Sequence, residues 1–185
     1  MSASTKFIHP TALKALNTAF KKANLKPVIV QTQGDAPESA GTHGSAGHYI
    51  DAGGKRQSYS ACIDISVNQA ATRLSDKKKV VMDKARVRWL LYCLAKEGFA
   101  GFYRTEAQGF TSHHVHIICA MVPVDGLPES QVIDFLNDRN GLKGHGQETF
   151  WTADDDVDQY IATKFALANP EAAKRLPSKY RGVLA

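Results

Sequence analysis

Apolar residues recur at helical spacing near the start of the chain and then give way to short hydrophobic runs. Over residues 11–25 they return every three or four positions with lysines between them, which predicts a helix. Residues 27–30 (PVIV) and 60–67 (SACIDISV) are β-rich runs typical of strands. Residues 34–59 are rich in Gly, Ser, Asp and His, which predicts a long loop with a hairpin turn at 51–54.

The middle of the chain returns to a helical pattern before two further strands. Ser75 is the expected N-cap of a helix that runs to about Lys96, with Gly98 ending it. Residues 101–104 (GFYR) and 114–119 (HVHIIC) are short apolar runs with the alternation of strands. This order of elements indicates an α+β domain whose small, mostly antiparallel sheet packs with helices.

Two helical patterns, over residues 129–137 and 154–168, complete the chain. The composition of the Gly-rich segment 141–146 between them predicts a linker or surface loop. We therefore divide the chain into a core over residues 1–125 and a C-terminal helical extension over 126–185 that packs on the same domain.

Composition narrows the class of protein. The chain has 185 residues, 43% of them hydrophobic and 22% charged, which excludes a disordered tail, a collagen-like fibre and a small disulfide scaffold. No apolar run approaches the roughly 20 residues of a membrane helix, and the N-terminus lacks the pattern of a secretory signal. We expect synthesis in the cytoplasm without a signal peptide and no membrane span.

Charge and cysteine usage add two expectations. The net charge of +5 favours anionic surroundings such as nucleic acid, an acidic lipid surface or an acidic cell-wall polymer. The run 77–79 (KKK) fits a solvated helix face better than a binding stripe. Cys62, Cys93 and Cys119 are odd in number, widely spaced and set among apolar neighbours, which predicts buried reduced thiols.

Two imidazoles and one carboxylate interrupt the predicted strands. His114 and His116 share one face of their strand, about 7 Å apart, because side chains alternate along a strand. Asp64 lies within an apolar strand, on the face that also carries Cys62 and Ser66. A buried carboxylate is costly unless it is paired or binds a cation, so we expect Asp64 to be functional; a salt bridge to an arginine is the structural alternative.

The loop upstream of Asp64 offers further metal ligands. His43 and His48 lie there between glycines, which let the backbone approach a site closely. Two histidines and an aspartate, with a water in the fourth position, form the open tetrahedral site of hydrolytic zinc. The sequence therefore predicts a zinc site that includes Asp64.

Four segments, taken in order, resemble a known group of enzymes: 47–51 (GHYID), 59–66 (YSACIDIS), 98–104 (GFAGFYR) and 114–116 (HVH). The order is similar to that of the zinc peptidases grouped with lysostaphin, D-Ala-D-Ala carboxypeptidases and the hedgehog signalling domain, and in particular to their bacterial and phage peptidoglycan-cleaving branch. The resemblance spans residues 44–118 and implies a hedgehog/DD-peptidase-like fold.

The resemblance also implies roles for individual residues. It makes His48, Asp64 and His116 ligands of Zn²⁺, with His43 as the alternative first ligand. It makes His114 the histidine that handles protons or stabilises the tetrahedral intermediate. A base must take a proton from the attacking water and return one to the leaving amine, a role that suits His114. Glu106, in the loop before the histidine strand, is the alternative base.

We thus expect a zinc metallopeptidase that hydrolyses stem peptides or cross-links of peptidoglycan, as an endopeptidase or a carboxypeptidase. It would act on the cell wall, in the periplasm or outside the cell, as an endolysin or a secreted antibacterial effector. A monomer is expected, with a delivery or immunity protein as a further partner. A non-catalytic zinc- or peptide-binding module of the same fold is the alternative. No recognition motif supports a nucleic-acid binder.

Overall fold

A computed structural model describes residues 7–32, 47–144 and 146–182 of the chain. The strands are β1 (Leu25–Lys26), β2 (Val28–Gln31), β3 (Gly47–Ile50), β4 (Arg56–Tyr59), β5 (Cys62–Ser66), β6 (Ala71–Arg73), β7 (Lys79–Val80), β8 (Phe99–Arg104) and β9 (His114–Cys119). The helices are α1 (Pro10–Ala23), α2 (Lys84–Ala95), α3 (Gly126–Phe135), α4 (Asp155–Ala168) and α5 (Pro170–Ala173), with 3₁₀ turns at Glu106–Gln108 and Ser178–Tyr180. The expected α+β class with antiparallel sheets is confirmed.

The central sheet has the order β2-β5-β9-β8, and each neighbouring pair is antiparallel. Helix α2 packs on one face, where Leu91 lies so close to Gly101 that an added Cβ would approach it to 2.8 Å. Helix α1 packs in turn on α2. The opposite face lies under α3, whose Phe135 ring meets Phe102 edge-on at 5.9 Å. Both faces are therefore covered, and β5 and β9 are buried along their whole length.

The smaller sheets confirm one expected turn. Strands β3 and β4 form a hairpin, with Gly54 N donating to Asp51 O at 3.0 Å, so the predicted turn at residues 51–54 is present. The Asp51 carboxylate also accepts from the Gln57 side chain and from the backbone of Lys55 and Gly53, and these hydrogen bonds lower its pKa. Strands β1, β6 and β7 form a separate sheet.

The helix predicted from Ser75 is wrong in its first part. Residues 71–80 form the β6–β7 hairpin, in which Lys77 takes a left-handed backbone (φ 61°) and Arg73 pairs with Asp76. Helix α2 begins only at Lys84, because the Asp83 carboxylate caps it by accepting from Arg86 N at 2.9 Å. The lysine run 77–79 therefore lies on a hairpin rather than on a helix face.

Other expected boundaries are close to those observed. Strand β9 has the predicted bounds, Gly98 ends the α2 segment with a positive φ of 88°, and the second C-terminal helix starts one residue after its cap, Asp154. The first C-terminal helix starts at Gly126 rather than at residue 129. The three cysteines are buried free thiols, as predicted.

The C-terminal segment packs on the same sheet and core. The Asn169 side chain accepts from Val124 N at 2.7 Å and donates to the carbonyl of Val122, which joins the end of α4 to the segment after β9. In the part of the chain that the structure describes, no helix is both long and apolar enough to cross a membrane.

Asp158 makes the stability of this segment depend on pH. Its carboxylate is buried on α4, and Oδ2 accepts from the Tyr180 hydroxyl at 3.2 Å while Oδ1 is buried with no hydrogen-bond partner in the described chain. Burial raises the pKa of Asp158 to about 6. A raised pKa means that the folded state holds this proton more tightly than the unfolded state, so stability falls as pH rises from about 4 to about 6.

Asp158→Asn is therefore expected to stabilise the protein by about 1–2 kcal/mol at pH 7 and by almost nothing near pH 4. Denaturant unfolding at the two pH values measures the difference. Asp155, whose side chain is 98% exposed on the same helix, provides the matched control Asp155→Asn. Equal effects of Asp158→Asn at both pH values would contradict the assignment.

Candidate functional site

The predicted carboxylate and histidines face each other across two central strands. Antiparallel pairing of β5 with β9 sets Asp64 directly opposite His116 and Ser66 opposite His114. Pairing of β9 with β8 then sets Arg104 opposite His114 on the other side. Since residues two apart share a face, these side chains form two adjacent polar rows on one face of the sheet. The expected common face of Asp64 and Ser66 is confirmed by this register.

The contacts within this cluster are direct. His116 Nδ1 and Asp64 Oδ1 lie 2.7 Å apart, and His114 Nε2 lies 3.8 Å from Asp64 Oδ2. His114 Nδ1 donates to the carbonyl of Ser112 at 2.9 Å, which leaves the lone pair of a neutral His114 on Nε2, toward Asp64. Asp64, His114 and His116 are 7%, 9% and 4% exposed, so the cluster is shielded from bulk water.

Helix α3 covers the cluster of Asp64, His114 and His116 through the side chain of Gln131. Gln131 is 4% exposed, and its Oε1 lies 3.2 Å from His116 Nε2 while its Nε2 donates to the carbonyl of Gly141 at 3.2 Å. The segment predicted as a linker over residues 141–146 thus begins with a residue that contacts the site. Gly141 has a φ of 68°, and a Cβ there would come within 3.0 Å of the Phe102 ring, so both backbone and space require glycine.

Arg104 supplies a buried positive charge beside His114. Its side chain is 1% exposed, its Nη1 donates to the carbonyl of Asn140, and its guanidinium lies 4.5 Å from the centre of the Phe102 ring. Burial lowers the pKa of Arg104 to about 10, and attraction to the carboxylates of Glu148 and Asp64 opposes that fall. Arg104 therefore stays protonated at neutral pH and balances part of the negative charge of Asp64.

Cys62 shares the face of Asp64 but has different chemistry. It is fully buried, and burial, reinforced by the charge of Asp64, raises the pKa of its thiol well above the usual value. A metal ligand or nucleophile must be the thiolate. Cys62 is therefore a packing residue at neutral pH.

The two remaining predicted site residues lie on exposed elements. His48 is exposed on β3, where its Nδ1 accepts from Arg56 Nη2 at 3.2 Å. Glu106 is exposed on a 3₁₀ turn that is closed by the side chain of Gln108. Both residues therefore lie at the surface, whereas Asp64, His114 and His116 are buried. The assignment of His48 as a zinc ligand and of Glu106 as a base stays a prediction.

Other histidines have structural roles or lie elsewhere. His113 Nδ1 lies 2.9 Å from the Tyr103 hydroxyl, and the two rings meet edge-on. His9 caps α1, because its Nδ1 accepts from Thr11 N, and burial lowers the pKa of His9 and so favours this neutral form. His43, the alternative zinc ligand, and His145 lie outside the described residues.

The cluster fits zinc by donor type but provides an incomplete set. A carboxylate oxygen of Asp64 and a ring nitrogen of His116 lie 2.7 Å apart, and zinc prefers both kinds of ligand. Within residues 7–32, 47–144 and 146–182, no group of three or more His, Cys, Asp or Glu side chains has the arrangement to hold a metal ion. The pair Asp64–His116 therefore supplies two donors, and a zinc site needs a third.

In comparisons with known proteins, no family model, no curated protein and no solved structure matches the chain. The functional reading rests on the residues themselves.

Sequence reasoning missed Gln131 as part of this site. Gln131 lies on the apolar face of α3, four positions before buried Phe135 and next to buried Val132. A long polar side chain on a core-facing helix position is a signal that it has a buried partner. The partner itself, His116, follows only from the tertiary structure.

Proposed function

We propose that this protein is a zinc-dependent peptidase whose centre is the buried Asp64–His116 pair. The single observation that carries the proposal is the 2.7 Å contact of these side chains with His114 beside them. Burial of a carboxylate and two imidazoles on one sheet face is unfavourable in free energy, because each group loses hydration. Their convergence supports a catalytic or metal-binding role over chance placement.

The residues divide the chemistry between them. Asp64 and His116 are the proposed ligands, with His48 as the predicted third ligand and His43 as its alternative. When bound, zinc would act as a Lewis acid: it would polarise the scissile carbonyl and lower the pKa of a water molecule. His114 accepts the proton of the attacking water on Nε2, since Nδ1 is committed to the carbonyl of Ser112. The same histidine then returns a proton to the leaving amine.

The substrate class proposed is the peptide part of bacterial peptidoglycan. Its support is the resemblance of residues 44–118 to wall-cleaving zinc peptidases, and the net charge of +5, which favours an anionic wall. Action as an endolysin or as a secreted antibacterial effector belongs to the same proposal.

Incubation of the purified full chain with peptidoglycan and zinc, followed by mass spectrometry of released peptides, tests this proposal. We expect stem-peptide fragments, and a loss of at least about 100-fold on chelation or in His116→Ala, because a ligand is removed. His113→Ala is the matched control and should keep activity within about 3-fold, since His113 contacts Tyr103 rather than Asp64. Unchanged hydrolysis by His116→Ala would refute the ligand assignment.

A non-catalytic zinc- or peptide-binding module is the second candidate, and the burial of the cluster favours it. Asp64, His114 and His116 are each less than one-tenth exposed, whereas a catalytic zinc site keeps one position open to water or substrate. One bound zinc per chain by elemental analysis, together with no hydrolysis of any wall preparation, would select this candidate.

A further inference from the structure

The C-terminal extension contributes a residue to the proposed centre, although the resemblance does not reach it. Gln131, on α3, is the side chain that touches the ring of His116 on the side away from Asp64. The two ring nitrogens of His116 thus contact different parts of the chain: Nδ1 contacts a strand residue and Nε2 contacts a helix residue.

The orientation of the Gln131 amide is fixed by its other contact. Gly141 offers a carbonyl oxygen, which only accepts, so the amide nitrogen of Gln131 must face it at 3.2 Å. The amide oxygen therefore faces His116 Nε2, and this ring nitrogen carries the hydrogen of the bond. Nδ1 is the ring nitrogen of His116 that faces Asp64, at 2.7 Å from Oδ1.

The loop that orients this amide is itself held in place. Arg104 Nη1 donates to the carbonyl of Asn140, and the Asn140 side chain accepts from Leu142 N at 3.0 Å. Gly141 sits between these two bonds with its carbonyl toward Gln131. A continuous set of hydrogen bonds thus runs from Arg104 through residues 140–142 and Gln131 to His116.

We propose that Gln131 is a positioning residue for His116: by accepting from Nε2–H, it leaves Nδ1 as the ring nitrogen that would bind a divalent cation at Asp64. Histidine ligands of metals regularly donate their second ring N–H to a neighbouring acceptor, which fixes both tautomer and ring orientation. The inference rests on the proposed zinc site, and it assigns residues 126–142 to the centre rather than to a covering layer.

Two substitutions separate positioning from simple support. Gln131→Met removes both hydrogen bonds with little change in volume, whereas Gln131→Glu keeps an acceptor for Nε2 but places a carboxylate against the Gly141 carbonyl. Competition with a chromophoric chelator measures zinc affinity, and thermal unfolding measures stability. We expect Gln131→Met to bind zinc about 10- to 100-fold more weakly and Gln131→Glu to stay within a few-fold of wild type. Both variants should lose thermal stability.

The second readout needs no bound metal. Imidazole ¹⁵N–¹H spectra should show a protected Nε2–H signal for His116 in the wild type and in Gln131→Glu, and its loss in Gln131→Met. Ser130→Ala, whose hydroxyl contacts the Gly126 carbonyl on the exposed side of α3, is the control and should change neither readout. A folded Gln131→Met with wild-type zinc affinity and the same His116 signal would overturn the inference, as would a Gln131→Glu as weak as Gln131→Met. Failure of the wild type to bind zinc would refute the proposed function, while the ring signal would still decide the role of Gln131.

Discussion

Asp64→Asn is expected to weaken zinc binding by at least about 100-fold while the protein stays folded. Asparagine has nearly the volume of aspartate, and its amide, which can both donate and accept, can still hydrogen-bond to His116 Nδ1 in place of the present 2.7 Å contact. What disappears is the negative charge, and a neutral amide is a poor zinc ligand. The variant therefore isolates the charge of Asp64 from its hydrogen bond.

Chelator competition gives the zinc affinity of Asp64→Asn, and circular dichroism with thermal unfolding shows that it is folded. Asp156→Asn, on the exposed first turn of α4, removes the same charge at a solvent-exposed position and serves as the control. An Asp64→Asn protein that binds zinc within a few-fold of the wild type would exclude Asp64 as a ligand. Hydrolysis of peptidoglycan should fall in parallel with zinc affinity if the protein is the proposed peptidase.

Arg104→Ala is expected to cause the largest loss of stability, about 3–4 kcal/mol, and Arg104→Met only about 1–2 kcal/mol. The fall in the Arg104 pKa from 12.5 to about 10 corresponds to a net electrostatic penalty of about 3 kcal/mol at neutral pH, because desolvation outweighs the attraction to Glu148 and Asp64. The bond to Asn140 and the stacking on Phe102 offset that penalty by roughly 1.5–3 and about 2 kcal/mol.

These opposing terms nearly cancel, so an apolar side chain of similar length costs little beyond the unpaired Asn140 carbonyl. Alanine adds a cavity beside Phe102, which accounts for the difference between the two variants. Denaturant unfolding measures both, with Lys96→Ala and Lys96→Met as controls on an exposed cation that lies over the Tyr92 ring. Equal losses for Arg104→Ala and Arg104→Met would show that charge, not packing, dominates at this position.

The three substitutions affect different points of the same set of hydrogen bonds. Asp64→Asn acts on a ligand, Gln131→Met acts on the orientation of the neighbouring ligand, and Arg104→Met acts on the loop that orients Gln131. If the chain of contacts is functional, Arg104→Met should also lower zinc affinity, and by less than Gln131→Met, because it acts one step further from His116.

Local sequence pattern alone predicts much of the site. Alternation along a strand is a property of the backbone, so the shared face of His114 and His116 follows from spacing alone, and β9 has the predicted bounds. Asp64 within an apolar run indicated a buried carboxylate for the same reason, and it is 7% exposed. Gly98 marked the end of a helix because its positive φ suits glycine.

Competing local signals explain the wrong helix start. Ser75 and Asp83 are both good N-caps, and the apolar positions between them fit either a helix or a short hairpin. The hairpin prevails because Ala71 is fully buried against the core and because the Arg73–Asp76 pair closes its turn. Such a decision depends on partners distant in sequence, which periodicity does not describe.

The sequence by itself determined which chemical groups this protein presents on its strands: a carboxylate at 64 and imidazoles at 114 and 116. Only the tertiary structure decided that Asp64 lies opposite His116, that Gln131 covers the far side of that ring, and that Arg104 is buried opposite His114. Side-chain alternation is fixed within one strand, whereas register between strands and the docking of a helix depend on packing of the whole core.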